Sequence, residues 1–160
     1  MQGKDPANFE SGRYIATGFS TDEAMGDDTV IECVFHADGT GTTYISYNGP
    51  SFNTQLFDAT RKMLRPRTAL LKDGYMICQV DIDLTKRDNL VESEKKHVLD
   101  IKEHSWILQF ARGLADPETG KKAIHSLGED DLYPWTTGEE VAICRNCARK
   151  FTVVKNMQQF

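Results

Sequence analysis

The chain has 160 residues, 39% of them apolar and 27% charged, with a formal net charge of −5. That length supports one domain with a core of its own, without help from metals or disulfides. The acidic balance excludes nucleic acid and anionic lipid as main partners, since no concentrated basic face is on offer, and no apolar run approaches the roughly 18 residues of a membrane helix.

Residues 1–12, MQGKDPANFESG, read as an extension or a truncated edge ahead of a single domain over 13–155. They have no positively charged start, apolar stretch or small-residue cleavage site, so they do not form a signal peptide. The chain is therefore expected either to be cytosolic or to be a piece of a longer protein. A strand is predicted over Arg13–Phe19, running into a polar turn that ends on one apolar residue, Met25, between Ala24 and Gly26. Met usually fills cores. In an acidic loop it either turns back to cap a core or offers its thioether as a soft ligand.

Thr29–Phe35 predicts a strand buried on both faces. A turn over His36–Gly41 and an alternating run over Thr42–Tyr47 make it a hairpin, which Asn48-Gly49-Pro50 ends. Ser51–Leu64 fits a short helix capped by Ser51, or a loop with a partial strand; the loop and strand are favoured. Ala69–Leu71 and Tyr75–Leu84 flank Asp73-Gly74, a strong hairpin signal. The like charges of Thr85–Lys96 predict a solvated loop, as Arg61–Arg67 predicts a solvated edge. Val98–Ile101 and Ser105–Phe110 are expected to be extended, and Trp106 and Phe110 share one side of their strand. Ala111–Trp135 is long and irregular, and loops of that length usually serve a function. Val141–Cys144 and Phe151–Val154 close the chain as edge strands. Many short strands punctuated by Gly, Pro and Asp predict an all-β, antiparallel, immunoglobulin-like sandwich.

Four cysteines, Cys33, Cys78, Cys144 and Cys147, permit three disulfide pairings, among which sequence cannot choose. Cys33 and Cys78, each in an apolar strand, read equally as buried thiols. Cys144 and Cys147 form a C-x-x-C that resembles half a zinc ribbon, but a structural zinc site needs four ligands. Only a histidine and Cys78, brought in by folding, could complete it.

The run YIATGFSTDEAMGDDTVIECVF (14–35) resembles the DOMON domain, named for the N-terminal region of dopamine β-monooxygenase, in the version found in ferric-chelate-reductase-like cell-surface proteins. The likeness lies in G-F-S, a polar spacer, M-G with acidic residues, and a Val-rich strand carrying Cys. YMICQVDI and LDIKEHSWILQFARG extend it over about Tyr14–Trp135. One or two further strands normally precede the one at Arg13, so the resemblance implies a sandwich lacking its first strand or strands here.

The resemblance also implies a b-type haem held between a Met after the first long strand and a His in the late loop. By position these are Met25 and His125, with Trp106 and Phe110 lining the pocket or serving as core. His36 falls in a hairpin turn, and His97 and His104 flank a charged connection and a strand. Such a centre passes electrons rather than making bonds, so the domain is expected to be a carrier more than an enzyme. It would lie outside the membrane beside a transmembrane b-type cytochrome or other membrane protein, with Asp27, Asp28, Glu129, Asp130 and Asp131 tuning docking. The alternative is a cofactor-free module recognising a carbohydrate or a protein.

Overall fold

The strands form because β-branched and aromatic residues alternate between two faces that both find cover. The computed structural model describes residues 1–5, 11–102, 105–116, 118–128, 130, 132–143 and 153–154. In chain order the strands are β1 (Gln2–Lys4), β2 (Gly12–Ser20), β3 (Asp28–Phe35), β4 (Gly41–Asn48), β5 (Asn53–Gln55), β6 (Leu64–Lys72), β7 (Tyr75–Ile82), β8 (Ser105–Ala115), β9 (Trp135–Thr137), β10 (Val141–Ala142) and β11 (Val153–Val154). Helix α1 (Phe57–Met63), a 3-10 turn (Leu84–Asn89) and the short α2 (Glu92–Lys95) complete the described elements.

All pairing among named strands is antiparallel. The large sheet runs β11-β9-β8-β2-β3-β4-β5, with β10 also on β8, and the small sheet runs β1-β7-β6. They pack as the expected all-β sandwich. Ile15, Cys33 and Phe35 of the large sheet meet Met76 and Cys78 of the small one, and a Cys33–Cys78 disulfide crosses between them. Phe19, Ile31, Trp106, Leu108 and Ile101 continue this interior layer.

β3 is buried at every residue, as its apolar run predicts, because the large sheet is covered on its other face too. Tyr14, Ala16, Val30, Val34 and Ala115 form a second cluster there. The Asp73-Gly74 hairpin is present, with φ of 51° and 76° at its two turn residues, the left-handed pair that such a turn requires.

Several expectations are corrected. Ser51–Leu64 contains the brief strand β5 but is helical from Phe57, because Ala59 and Met63, one turn apart, are both fully buried. The helix start is capped from a distance: the Glu94 carboxylate accepts from the N–H groups of Asp58 at 3.2 Å and Ala59 at 2.8 Å. The predicted charged loop is instead a 3-10 turn and α2. Val98–Ile101 is not a strand; Thr29 Oγ1 donates to His97 O at 3.0 Å and accepts from Leu99 N–H at 2.8 Å. That pin turns Val98 and Ile101 into the core. At the edge expected to lack a strand, Gln2–Lys4 pairs with Tyr75–Ile77. Cys144, Cys147 and the first two residues of the strand expected at Phe151–Val154 lie outside the described residues, while Val153–Val154 pairs with β9.

Candidate functional site

The outer face of the large sheet carries unusually small side chains where its central strands meet. Ala16 lies opposite Ala111 across the β2–β8 pair, and Gly18 lies opposite Gln109. Over this floor sits a cavity of about 730 Å³, within the range of small-molecule sites. Tyr14 and Val30 extend the floor, the 48–55 corner forms one wall, and residues 119–125 form the other. Phe52, Phe57 and Ile124 at its lining are 58%, 65% and 72% exposed, an apolar surface of the kind that marks a binding site.

The wall carrying His125 is built by β8 turning back on itself. Asp116 Oδ1 accepts from the N–H groups of Glu118 and Thr119, Gly120 takes a φ of 69°, and Ala123 N–H returns to Leu114 O at 2.9 Å. Lys122 then reaches down to Glu32, a fully buried carboxylate on β3. Glu32 also accepts from Ser46 Oγ at 2.6 Å and Gln55 Nε2 at 3.2 Å. The wall is thus fixed to the sheet by backbone and by a buried ion pair.

Met25 approaches from the opposite side. The loop after β2 is knitted by Ser20 Oγ accepting from Asp22 N–H and by Asp22 accepting from Ala24 N–H. It turns through Gly26, whose φ of 139° favours glycine, and Asp27 at 59°. Gln109 Nε2 donates to Ala24 O at 2.8 Å, and Asp28 Oδ2 accepts from Gly26 N–H at 3.0 Å. Burial pushes the Asp28 carboxyl up to about 6, against the lowering effect of the Gly26 N–H.

These two walls bring Met25 Sδ and His125 Nε2 to 3.4 Å, from positions 100 residues apart. His125 is 4% exposed, and its Nδ1 lies 2.9 Å from Ser126 O. Both ring nitrogens therefore face acceptors. With the proton on Nδ1, which the carbonyl requires, the Nε2 lone pair points at the sulfur lone pairs. Moving the proton to Nε2 leaves Nδ1 against the carbonyl. A Lewis acid accepting from both Nε2 and Sδ removes the conflict. Imidazole and thioether together suit a transition metal of borderline or soft character. At 3.4 Å the two donors are closer than a metal ion held between them would allow, so Met25, whose side chain is flexible, would have to move aside on binding.

The other sequence candidates lie elsewhere. Trp106 and Phe110 do share a side of β8, but it is the interior side. Trp106, 1% exposed, packs with Phe19 and Ile31 and donates Nε1–H to Ile101 O at 2.8 Å, so it is core rather than pocket lining. Phe110 packs against the same interior cluster and only borders the cavity. Cys33 and Cys78 are bonded to each other. His97 stacks on Tyr47 with ring centroids 4.0 Å apart, and His36 lies in the β3–β4 turn. Asp28 is fully buried and so is no part of an acidic docking surface. Asp27 is exposed and accepts from Tyr47 Oη, and Asp130 accepts from Ser126 Oγ at 2.6 Å. Glu129, Asp131 and His104 lie outside the described residues. No cluster of three His, Cys, Asp or Glu side chains suited to a metal occurs among the described residues.

Sequence reading passed over Gln109, Glu32 and Lys122. The available signal was a polar residue inside each of two apolar strands, Gln109 in SWILQF and Glu32 in TVIECVF, since a buried polar side chain is the informative exception. A second cleft, of about 560 Å³ between the sheets, is lined by Thr17, Phe19, Ile31 and the Arg67–Asp81 pair among others, and by none of the histidines. The chain matches no family model, no curated protein and no solved structure.

Proposed function

We propose that this chain is a haem-b-binding electron-transfer domain of the DOMON type, with Met25 and His125 as the axial ligands. The observation that carries the reading is the convergence of Met25 Sδ and His125 Nε2 to 3.4 Å beside a cavity floored by Ala16, Gly18 and Ala111. A floor without bulky side chains suits a flat, apolar macrocycle, and exposed Phe52, Phe57 and Ile124 suit its edge. Lys121, Asn53 and Thr54 are among the polar lining residues that could meet its carboxylate arms.

Bound haem b supplies a one-electron centre whose potential a thioether ligand raises by favouring the ferrous state. The residues of this chain do the rest. With Ser126 O 2.9 Å from its Nδ1, His125 would place its proton there and offer Nε2 as the ligand atom. Lys122 and Glu32 hold the wall that carries His125, and Tyr14 and Val30 keep the floor apolar. With two protein ligands engaged, outer-sphere electron exchange is favoured over chemistry on a bound substrate. A setting outside the membrane, beside a membrane-bound b-type cytochrome, belongs to the same proposal. The Cys33–Cys78 disulfide is compatible with an oxidising compartment, and no helix among the described residues is long and apolar enough to cross a membrane.

Haemin titrated into the purified protein is expected to give a low-spin spectrum that sharpens into distinct α and β bands on reduction. Met25→Ala and His125→Ala should each convert it to a high-spin form. If both variants leave the spectrum as it was, the ligand assignment is wrong. If the protein takes up no haemin, the exposed aromatic rim favours the second reading, a cofactor-free module for a carbohydrate or a protein.

A further inference from the structure

We infer that Gln109 and Asp28 are the positioning residues of Met25, fixing the thioether in place before any ligand is bound. The inference rests on reading Met25 as a ligand. Met25 sits between two peptide groups, and the sheet holds both. The carbonyl of Ala24 accepts from Gln109 Nε2 at 2.8 Å, and the N–H of Gly26 donates to Asp28 Oδ2 at 3.0 Å. Gln109 is 5% exposed and Asp28 fully buried. They come from β8 and β3, the strands on either side of β2. Gln109 is itself wedged: a Cβ on Gly18 would stand 3.2 Å from its Oε1.

The consequence is control over both backbone torsions of Met25. A loop tied only by its own turns would let the thioether sample many positions; ties at the peptides before and after it confine that freedom to the side-chain torsions. Polar side chains are costly to bury in a sheet unless their bonds are made, and Gln109 Nε2 and Asp28 Oδ2 each make one to this loop. The motif acquires a physical reading: Gly26 supplies the turn, and the acid two residues later holds it. Second-shell groups of this kind typically alter metal affinity 10- to 100-fold.

The test uses the whole chain. In haemin-loaded protein the ferric state is the sensitive one, because a thioether holds ferric iron less firmly than ferrous. Gln109→Met and Asp28→Leu should each lose the sulfur-to-iron charge-transfer band, bind cyanide about 10-fold faster and lower the reduction potential. Asp28→Asn, which keeps an oxygen facing Gly26, should retain the band. Unchanged band, cyanide rate and potential in both Gln109→Met and Asp28→Leu overturn the inference, as does loss of the band in Asp28→Asn to the same extent as in Asp28→Leu. In protein without added haemin, the Gly26 amide should exchange with solvent at least 10-fold more slowly than an open amide, and the Met25 methyl should contact the His125 ring by NMR. Both signals should fade in Asp28→Leu and Gln109→Met. An unprotected Gly26 amide refutes the positioning role whether or not haem binds; protection without haemin uptake refutes the haem reading alone.

Discussion

The Lys122→Met substitution probes the attachment of the His125 wall. It keeps the length of the side chain and removes its charge, leaving Glu32 beneath the wall with no cation. Glu32 is fully buried, and the Lys122 side chain is 10% exposed. Hydrogen bonds from Ser46 Oγ and Gln55 Nε2 remain, but they do not neutralise the carboxylate. Breaking a buried pair from one side costs about 3–5 kcal/mol, against about 0–1 kcal/mol for an exposed pair. At about 2–4 °C per kcal/mol for a domain of this size, melting should fall by about 10 °C. Glu32→Leu in the Lys122→Met background should recover most of the loss, since no buried charge is then left. Ala123 N–H still bonds Leu114 O in the variant, so the wall should loosen at its tip, and haemin should leave faster than from the parent. Differential scanning calorimetry of the parent, Lys122→Met, Glu32→Leu alone and the double variant reads the coupling directly. A fall of under 2 °C in Lys122→Met, or no recovery in the double variant, would refute the buried-pair reasoning.

Three shorter predictions concern other parts of the molecule. Asp28 has its pKa raised to about 6 from 3.8, so between those values the folded state binds more protons than the unfolded one. Stability is fully present below about 4 and declines as pH rises through about 6, by about 2–3 kcal/mol; urea melts of Asp28→Asn should lack this decline, and an equal decline in the variant would show that another group causes it. The Cys33–Cys78 disulfide closes a separation of 45 residues, worth about 4 kcal/mol of chain entropy, so Cys33→Ala with Cys78→Ala should melt at markedly lower urea, and the parent should match it when reduced. Ala111→Phe places a ring on the cavity floor: haemin uptake should be lost while melting stays within a few degrees, and undiminished uptake would move the site away from this cavity.

The fold could be read largely from the sequence because its signals are local. Asp73-Gly74 encodes its own left-handed turn, and the apolar run of β3 needs only cover on both sides. Where reading failed, the deciding contact was distant. The start of α1 is capped by Glu94, more than thirty residues on, so nothing near Phe57 announces it. Val98–Ile101 has the composition of a strand, but Thr29 occupies its backbone groups. For Trp106 the alternation was correct, and the choice of face was not; a strand buried on both sides gives no polar face by which to orient it.

The candidate site divides along the same line. Nothing about Met25 alone distinguishes a lid on the core from a ligand, and it was the resemblance that paired it with His125. The structure adds what composition cannot carry: the conflict at His125, whose two nitrogens both meet acceptors. Ordinary packing would relieve it by a small rotation of either side chain. The backbone is held on the Met25 side by Gln109 and Asp28 and on the His125 side by the Lys122–Glu32 tie, which leaves side-chain rotation as the remaining freedom. Three buried polar residues, Gln109, Asp28 and Glu32, with the half-buried Lys122, thus hold the two walls that bring Met25 and His125 together. On the proposed reading, an electron-pair acceptor between nitrogen and sulfur is a partner that both atoms could serve at once.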